Sequence, residues 1–194
     1  MPTMSLANKA LSVLVAGLLV SGESFATDPP RGRWVTNESG TITLRFSDGD
    51  AHRLHVPPGV QDAFYDPVKH RMDGNDYVLV FQRARSVVNR PLQACGAGTE
   101  VRLSVYQVST GSLKERGSLL ISSCLRTVSL QSQNSGSTQQ DTDYSSVYWT
   151  AGGFSIDWFN QLNAAGQPIS TTHYALQQGM FVPLEVIRAH GAGQ

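Results

Sequence analysis

The stretch TEVRLSVYQV, residues 99–108, alternates with a period of two: Val101, Leu103 and Val105 fall on one side, Glu100, Arg102 and Ser104 on the other. That period belongs to a strand with one face buried, because apolar positions on a helix recur every three to four residues. An alternating strand must find a partner, and the rest of the chain offers many. Residues 41–46, TITLRF, place Ile42, Leu44 and Phe46 inward. An Asp-Gly turn follows in SDGD, and AHRLHV (51–56) returns as the second arm of a hairpin. YVLVFQR (77–83) is apolar on both sides at its start, which predicts a strand covered on both faces in the middle of a sheet.

The turn STGS (109–112) leads from the first stretch into SLLISSCLRTVSL (118–130), rich in β formers. Further runs lie at 146–150, 154–162, 169–176 and 180–187, and Pro183 marks the last as an edge strand. Together they predict an all-β fold, a single antiparallel β-sandwich or partly open β-barrel of about nine strands with almost no helix. No repeat demands a propeller. Two stretches break the pattern. Residues 60–76 are read as irregular, with one helical turn ending before Pro67. Residues 131–146, QSQNSGSTQQDTDYSS, are read as a mobile polar surface loop inside one domain spanning 27–194. Alternation assigns Trp34, Phe46, Phe81, Trp149, Phe154, Trp158 and Phe181 to the core.

The chain has two cysteines, Cys95 and Cys124. A turn centred between Ser109 and Thr110 would set them directly opposite each other on antiparallel strands, close enough for an intradomain disulfide with a small closure. Such a bridge contributes on the order of 3–4 kcal/mol by the chain-entropy model. The rival chemistries lack their partners: no histidine lies near either cysteine in sequence to generate a thiolate, and a thiolate zinc site needs more cysteines.

Residues 1–26 read as a secretory signal peptide that is cleaved. Lys9 supplies the positive n-region, residues 10–20 an apolar h-region, and Ser24-Phe25-Ala26 the small residues of a cleavage site. The h-region is too short to span a bilayer of roughly 30 Å, so no membrane anchor is expected after cleavage, and the mature chain is placed in the periplasm or outside the cell. Lysine plus arginine equal aspartate plus glutamate, 15 each. The leader carries one of each sign, so the mature surface stays neutral and does not favour nucleic acid.

Catalytic grammar is sparse. Asp48, Asp50, His52 and His55 are residues of metal-binding type, but on a strand the two histidines point to opposite faces, and Asp48-Gly49 is turn chemistry. No metal or cofactor is therefore assigned. Asp141 and Asp143 have calcium-type side chains in a solvated loop, and HRMDGNDY (70–77) misses calcium-loop spacing. CGAGTE (95–100) opens a strand where a phosphate cradle would open a helix. Neither G-x-S-x-G nor H-E-x-x-H occurs. Glu38, Glu100, Glu115, Asp157 and Glu185 are dispersed acids from which a glycosidase pair would have to be drawn. Asn37-Glu38-Ser39 matches a glycosylation triplet. The catalytic residues stay unassigned.

Export, a stapled β-domain and long polar loops favour a binding or inhibitory module acting on another exported protein. The alternatives are a glycan- or cell-wall-directed hydrolase using dispersed carboxylates, and a structural subunit of an envelope assembly. The exported protein is expected to begin at Thr27 and to titrate no thiol before reduction. Intact mass and thiol titration check both, and two free thiols in unreduced material would remove the staple.

Overall fold

A computed structural model describes residues 32–86, 95 and 98–189. The signal peptide and cleavage site expected within residues 1–26 lie outside the described residues. The fold is organised around β6 (Asn75–Arg85), the middle strand of an antiparallel sheet. This first sheet runs β1 (Arg33–Thr36), β4 (Val60–Tyr65), β6, β7 (Thr99–Ser109), β8 (Ser112–Ser123), and β5 (His70–Met72) also pairs with β6. Successive β6 side chains enter different cores. Tyr77, Leu79 and Phe81 join one apolar cluster, while Val78 and Val80 join another on the opposite face. The doubly apolar run in the sequence has this cause.

Each face has its own cover. The hairpin of β2 (Thr41–Arg45) and β3 (Ala51–His55) presses Ile42, Leu44, Leu54 and the following Val56 onto one side. The hairpin is fastened by Tyr65, whose hydroxyl donates to the Arg45 carbonyl at 2.9 Å and accepts from the Arg45 N–H at 2.7 Å. The other side meets a second antiparallel sheet, β10 (Val147–Thr150), β11 (Gly153–Asn160), β12 (Ile169–Gln177), β13 (Met180–Ile187), with β9 (Ser129–Leu130) paired to β11. Phe154, Ile156 and Trp158 enter this core from β11, as alternation requires. Close approach is built into the second sheet: a Cβ on Gly153 would come within 1.8 Å of the Tyr174 carbonyl oxygen. The architecture is an all-β sandwich, not a closed barrel, with the extra hairpin layered on its first sheet.

Thirteen strands occur among the described residues, and β1, β4, β5 and β9 account for the excess over the expected nine. The helical turn expected before Pro67 is instead the end of β4. Ala63 and Tyr65 face the hairpin core, and Phe64 packs against the other, so the strand shows no apolar–polar alternation. Residues 131–146, expected as a polar surface loop, carry local structure. They form two short 3-10 turns, Ser132–Asn134 and Gln140–Thr142. Ser132 Oγ donates to the Asp143 carbonyl and Gln133 Nε2 to that of Asp141. Tyr144 enters the core, its ring stacked on Phe81 with centroids 4.7 Å apart. Of the aromatics expected inside, Trp34 is 41% exposed and Phe181 half-buried against Tyr77 and Phe154. The other five are buried.

Cys95 and Cys124 are joined, with Cα atoms 5.7 Å apart. The bridge is not the cross-strand pair expected. Ser109 pairs with Ser112, and irregularities between Val101 and Arg102 and between Val105 and Tyr106 shift the register until Glu100 faces Ser123. Cys95 lies before β7, in a turn closed by the Gly98 N–H on its carbonyl at 3.0 Å. The disulfide therefore ties the β6–β7 connection to the chain leaving β8.

Burial pushes the hydroxyls of Tyr106, Tyr144 and Tyr174 up to about 12. The folded state then holds these protons more tightly than the unfolded chain, where tyrosine ionises near pH 10. Stability is expected to be unaffected by these groups below about pH 10 and to fall as pH rises from there through about 12. Denaturant unfolding at stepped alkaline pH, alongside ultraviolet titration of tyrosinate, measures it.

Candidate functional site

At the cystine end lies a cleft of about 500 Å³. Its walls combine the end of the first sheet, at Arg83, Thr99 and Ser122, with the segment entering the second, at Thr127, Asn134 and Asp141. Arg83 is inward-facing by register, one row beyond Phe81. It is clamped there: Nε and Nη2 donate to the two oxygens of Asp62 at 2.8 and 2.5 Å, and the guanidinium lies 4.6 Å from the Trp34 ring centroid. The Asp62 hydrogen bonds raise the Arg83 pKa further above its ordinary value, against the opposing effect of burial. Behind this pair lies the Tyr144 hydroxyl, buried and without a hydrogen-bond partner. Thr127 holds a φ of 54°, a backbone conformation that β-branched residues strongly disfavour.

The four metal-type residues occupy a different region. Asp48 and Asp50 both bind Lys69 Nζ, at 2.7 and 2.5 Å. His52 is buried against Phe46 with ring centroids 5.8 Å apart, whereas His55 faces outward and contacts Thr41 Oγ1. Among the described residues, no three of His, Cys, Asp and Glu gather at metal-binding distance. Asp141 and Asp143 part as well: Asp141 lines the cleft, and Asp143 caps Ser145 N–H.

The dispersed acids remain dispersed. Glu100 accepts from Ser86 Oγ, Glu115 from the Tyr106 hydroxyl and Asp157 from Thr171 Oγ1. Glu38 bridges to Thr41 and Glu185 sits on β13. None of the five lines the cleft. Asn37 has a structural task, accepting from Gly40 N–H and donating to the Val60 carbonyl. Sequence alone did not foresee one polar pairing: Ser155 Oγ and His173 Nδ1 are 2.8 Å apart across β11 and β12. It is not a hydrolase dyad. Ser155 is 1% exposed, and Asp157 bonds Thr171 instead of orienting the imidazole.

Those polar residues lie on the outward face of the second sheet, beside an apolar row. Met180, Val182, Leu184 and Val186 alternate along β13 with Phe181, which faces the core, and all four are exposed, Leu184 by 67%. Register places Val182 next to Ala175 and Leu184 next to His173. The row is the extended apolar feature of this surface, and MFVPLEVI, apolar on both parities apart from Glu185, did not mark it. No protein-family model matches the chain, nor does any curated protein or any solved structure.

The hydrogen bond from Lys69 holds the Asp48 carboxyl below its ordinary 3.8. That attraction stabilises the fold above the ordinary carboxyl pH and is lost as pH falls through the lowered value. Lys69→Met is expected to raise the Asp48 pKa part of the way back, because the Asp50 N–H still donates to Asp48 Oδ1, and carboxyl NMR during an acid titration measures the change.

Proposed function

We propose that the chain is an exported binding domain, acting in the periplasm or outside the cell, whose ligand is another protein of that compartment docked on the outward face of β12 and β13. The disulfide supports an oxidising compartment. The carrying observation is the exposed row Met180, Val182, Leu184 and Val186. Contiguous exposed apolar side chains beside polar ones are the ordinary composition of a protein–protein contact, and they cost solubility when left uncovered. His173, Thr171 and Asp157 supply the polar border.

Docking onto the face is favoured over strand addition at the β13 edge, the contact an assembly subunit would use. Leu176 N–H donates to Gly152, so alternate β12 residues, His173 and Ala175 among them, turn their backbone groups toward β13. Their partners there are Leu184 and Val182. Pro183 therefore faces the free edge, where its missing N–H weakens pairing with a further strand.

Leu184→Asp is expected to leave thermal unfolding within about 0.5 kcal/mol of the parent, as an exposed substitution. It should weaken the partner complex by at least about 2 kcal/mol. Stoichiometric complex from the exported fraction, weighed by sedimentation for both proteins, provides the reading. Retention of the partner by the variant, or a monomer without any partner, counts against the proposal. A concentration-dependent dimer abolished by Leu184→Asp would replace the foreign partner with a second copy.

A further inference from the structure

We infer that the cleft beside the cystine is a saccharide site that holds a neutral, hydroxyl-bearing sugar unit without cleaving it. The inference is independent of the β12–β13 face. A volume of about 500 Å³ lies in the range of small-molecule sites. What selects the ligand is the set of polar atoms left without a protein partner. Arg83 uses Nε and Nη2 on Asp62, leaving Nη1 as a donor. Asn134 spends its Nδ2 on Ser129 Oγ and the Leu130 carbonyl, leaving Oδ1 as an acceptor. Among the described residues the Asp141 carboxylate accepts no hydrogen bond, although its backbone carbonyl is bonded to Gln133. The hydroxyls of Thr99, Ser122 and Thr127 line the same space and can both donate and accept.

A sugar hydroxyl also donates and accepts, so it requires both kinds of partner at close quarters. An anion would find one cation, already neutralised by Asp62, and would face Asp141. An ammonium ion would find Asp141 but also the Arg83 guanidinium. The mixed set suits a neutral polyol. Part of this lining is held in place before any ligand arrives. Asp62 and Trp34 fix Arg83, and hydrogen bonds of Gln133 to Leu130 N–H and to the Asp141 carbonyl stitch the far wall. Pre-ordering of this kind reduces the cost of binding polar groups. Thr127 sits on that wall at positive φ, and such strain persists where surrounding structure over-determines it.

Hydrolysis of a glycosidic bond requires two carboxyl groups, one acid and one base or nucleophile. Asp141 is the carboxylate lining the cleft among the described residues, and Asp62 is committed to Arg83. The site therefore binds and does not cut.

The test is an amide NMR titration of the mature chain with glucose and N-acetylglucosamine oligomers, with inorganic phosphate and ethanolamine as charged probes. Saturable shifts at Thr99, Ser122, Thr127, Asn134 and Asp141, at millimolar or lower concentration of one saccharide, are expected. Asp141→Ala combined with Ser122→Ala should weaken that binding at least about tenfold without changing the unfolding midpoint. Leu184→Asp should not alter it, so this site and the β12–β13 face stand or fall separately. The inference is overturned if no oligomer gives saturable shifts, if the shifts fall elsewhere, or if the double variant binds as before. Preferential binding of phosphate or ethanolamine, or release of new reducing ends, overturns it equally.

Discussion

Strand β6 carries apolar side chains on both of its faces, so the first sheet cannot stop at two layers. Val78 and Val80 would meet water without the β2–β3 hairpin, and Tyr77, Leu79 and Phe81 without the second sheet. Full burial of a large apolar side chain contributes about 1.5–3 kcal/mol, so either cover gains considerably by docking. The hairpin shows the dependence in the other direction. Two strands alone are marginal in water, and β2–β3 persists because Ile42, Leu44 and Leu54 are buried on that sheet and Tyr65 fastens Arg45.

Strands with one wet face and a regular alternation were announced by their sequence. Ile42, Leu44 and Phe46 alternate with solvated residues, as do Val101 and Leu103, and these strands were legible. Strand β4 was not, because Asp62 is spent on Arg83 while Ala63 and Phe64 serve opposite cores, leaving no polar face to mark the period. The short strand β5 was hidden by its own turn. Asp73-Gly74, with φ of 47° and 74°, is the two-residue hairpin connection that favours Asp-Gly, yet beside Asn75 and Asp76 it resembled a cluster of acids. In residues 131–146 the overall polarity concealed single buried members, Gln133, Tyr144 and Ser146. Tyr144 was the visible signal, an aromatic ring with no place in a solvated loop. Oxidation state and parity identified the cysteine pair, but its geometry depended on two register shifts in β7–β8 that side-chain pattern does not encode.

The candidate sites were harder to read for a related reason: most ionisable groups are consumed locally. Lys69 absorbs Asp48 and Asp50, Arg83 absorbs Asp62, and Thr171 and Tyr106 occupy Asp157 and Glu115. A list of acids in the sequence therefore overstates what is available for chemistry. Groups left over become informative only after these pairings are known. Arg83 Nη1, Asn134 Oδ1 and the Asp141 carboxylate come from three separate segments, and no spacing rule connects them. The row on β13 is contained in one strand, but Phe181, Pro183 and Ile187 make the other parity apolar as well, so its outward direction required Phe181 to be placed in the core.

The position of the disulfide ties these observations together. After Ser123 the chain leaves the first sheet, turns through Cys124 and the strained Thr127, and enters the second sheet at β9. This crossing forms one edge of the cleft, and hydrogen bonds between Ser123 and Val128 close it. Neither apolar core includes the cystine, so the bridge adds no packing to the centre. Its contribution, about 3–4 kcal/mol for a loop of this length, instead constrains the crossing against the β6–β7 connection. A covalent tie there adds to the packing of Val101, Ile121 and Leu130 beside the cleft, where Arg83 and Thr99 stand opposite Asn134 and Asp141.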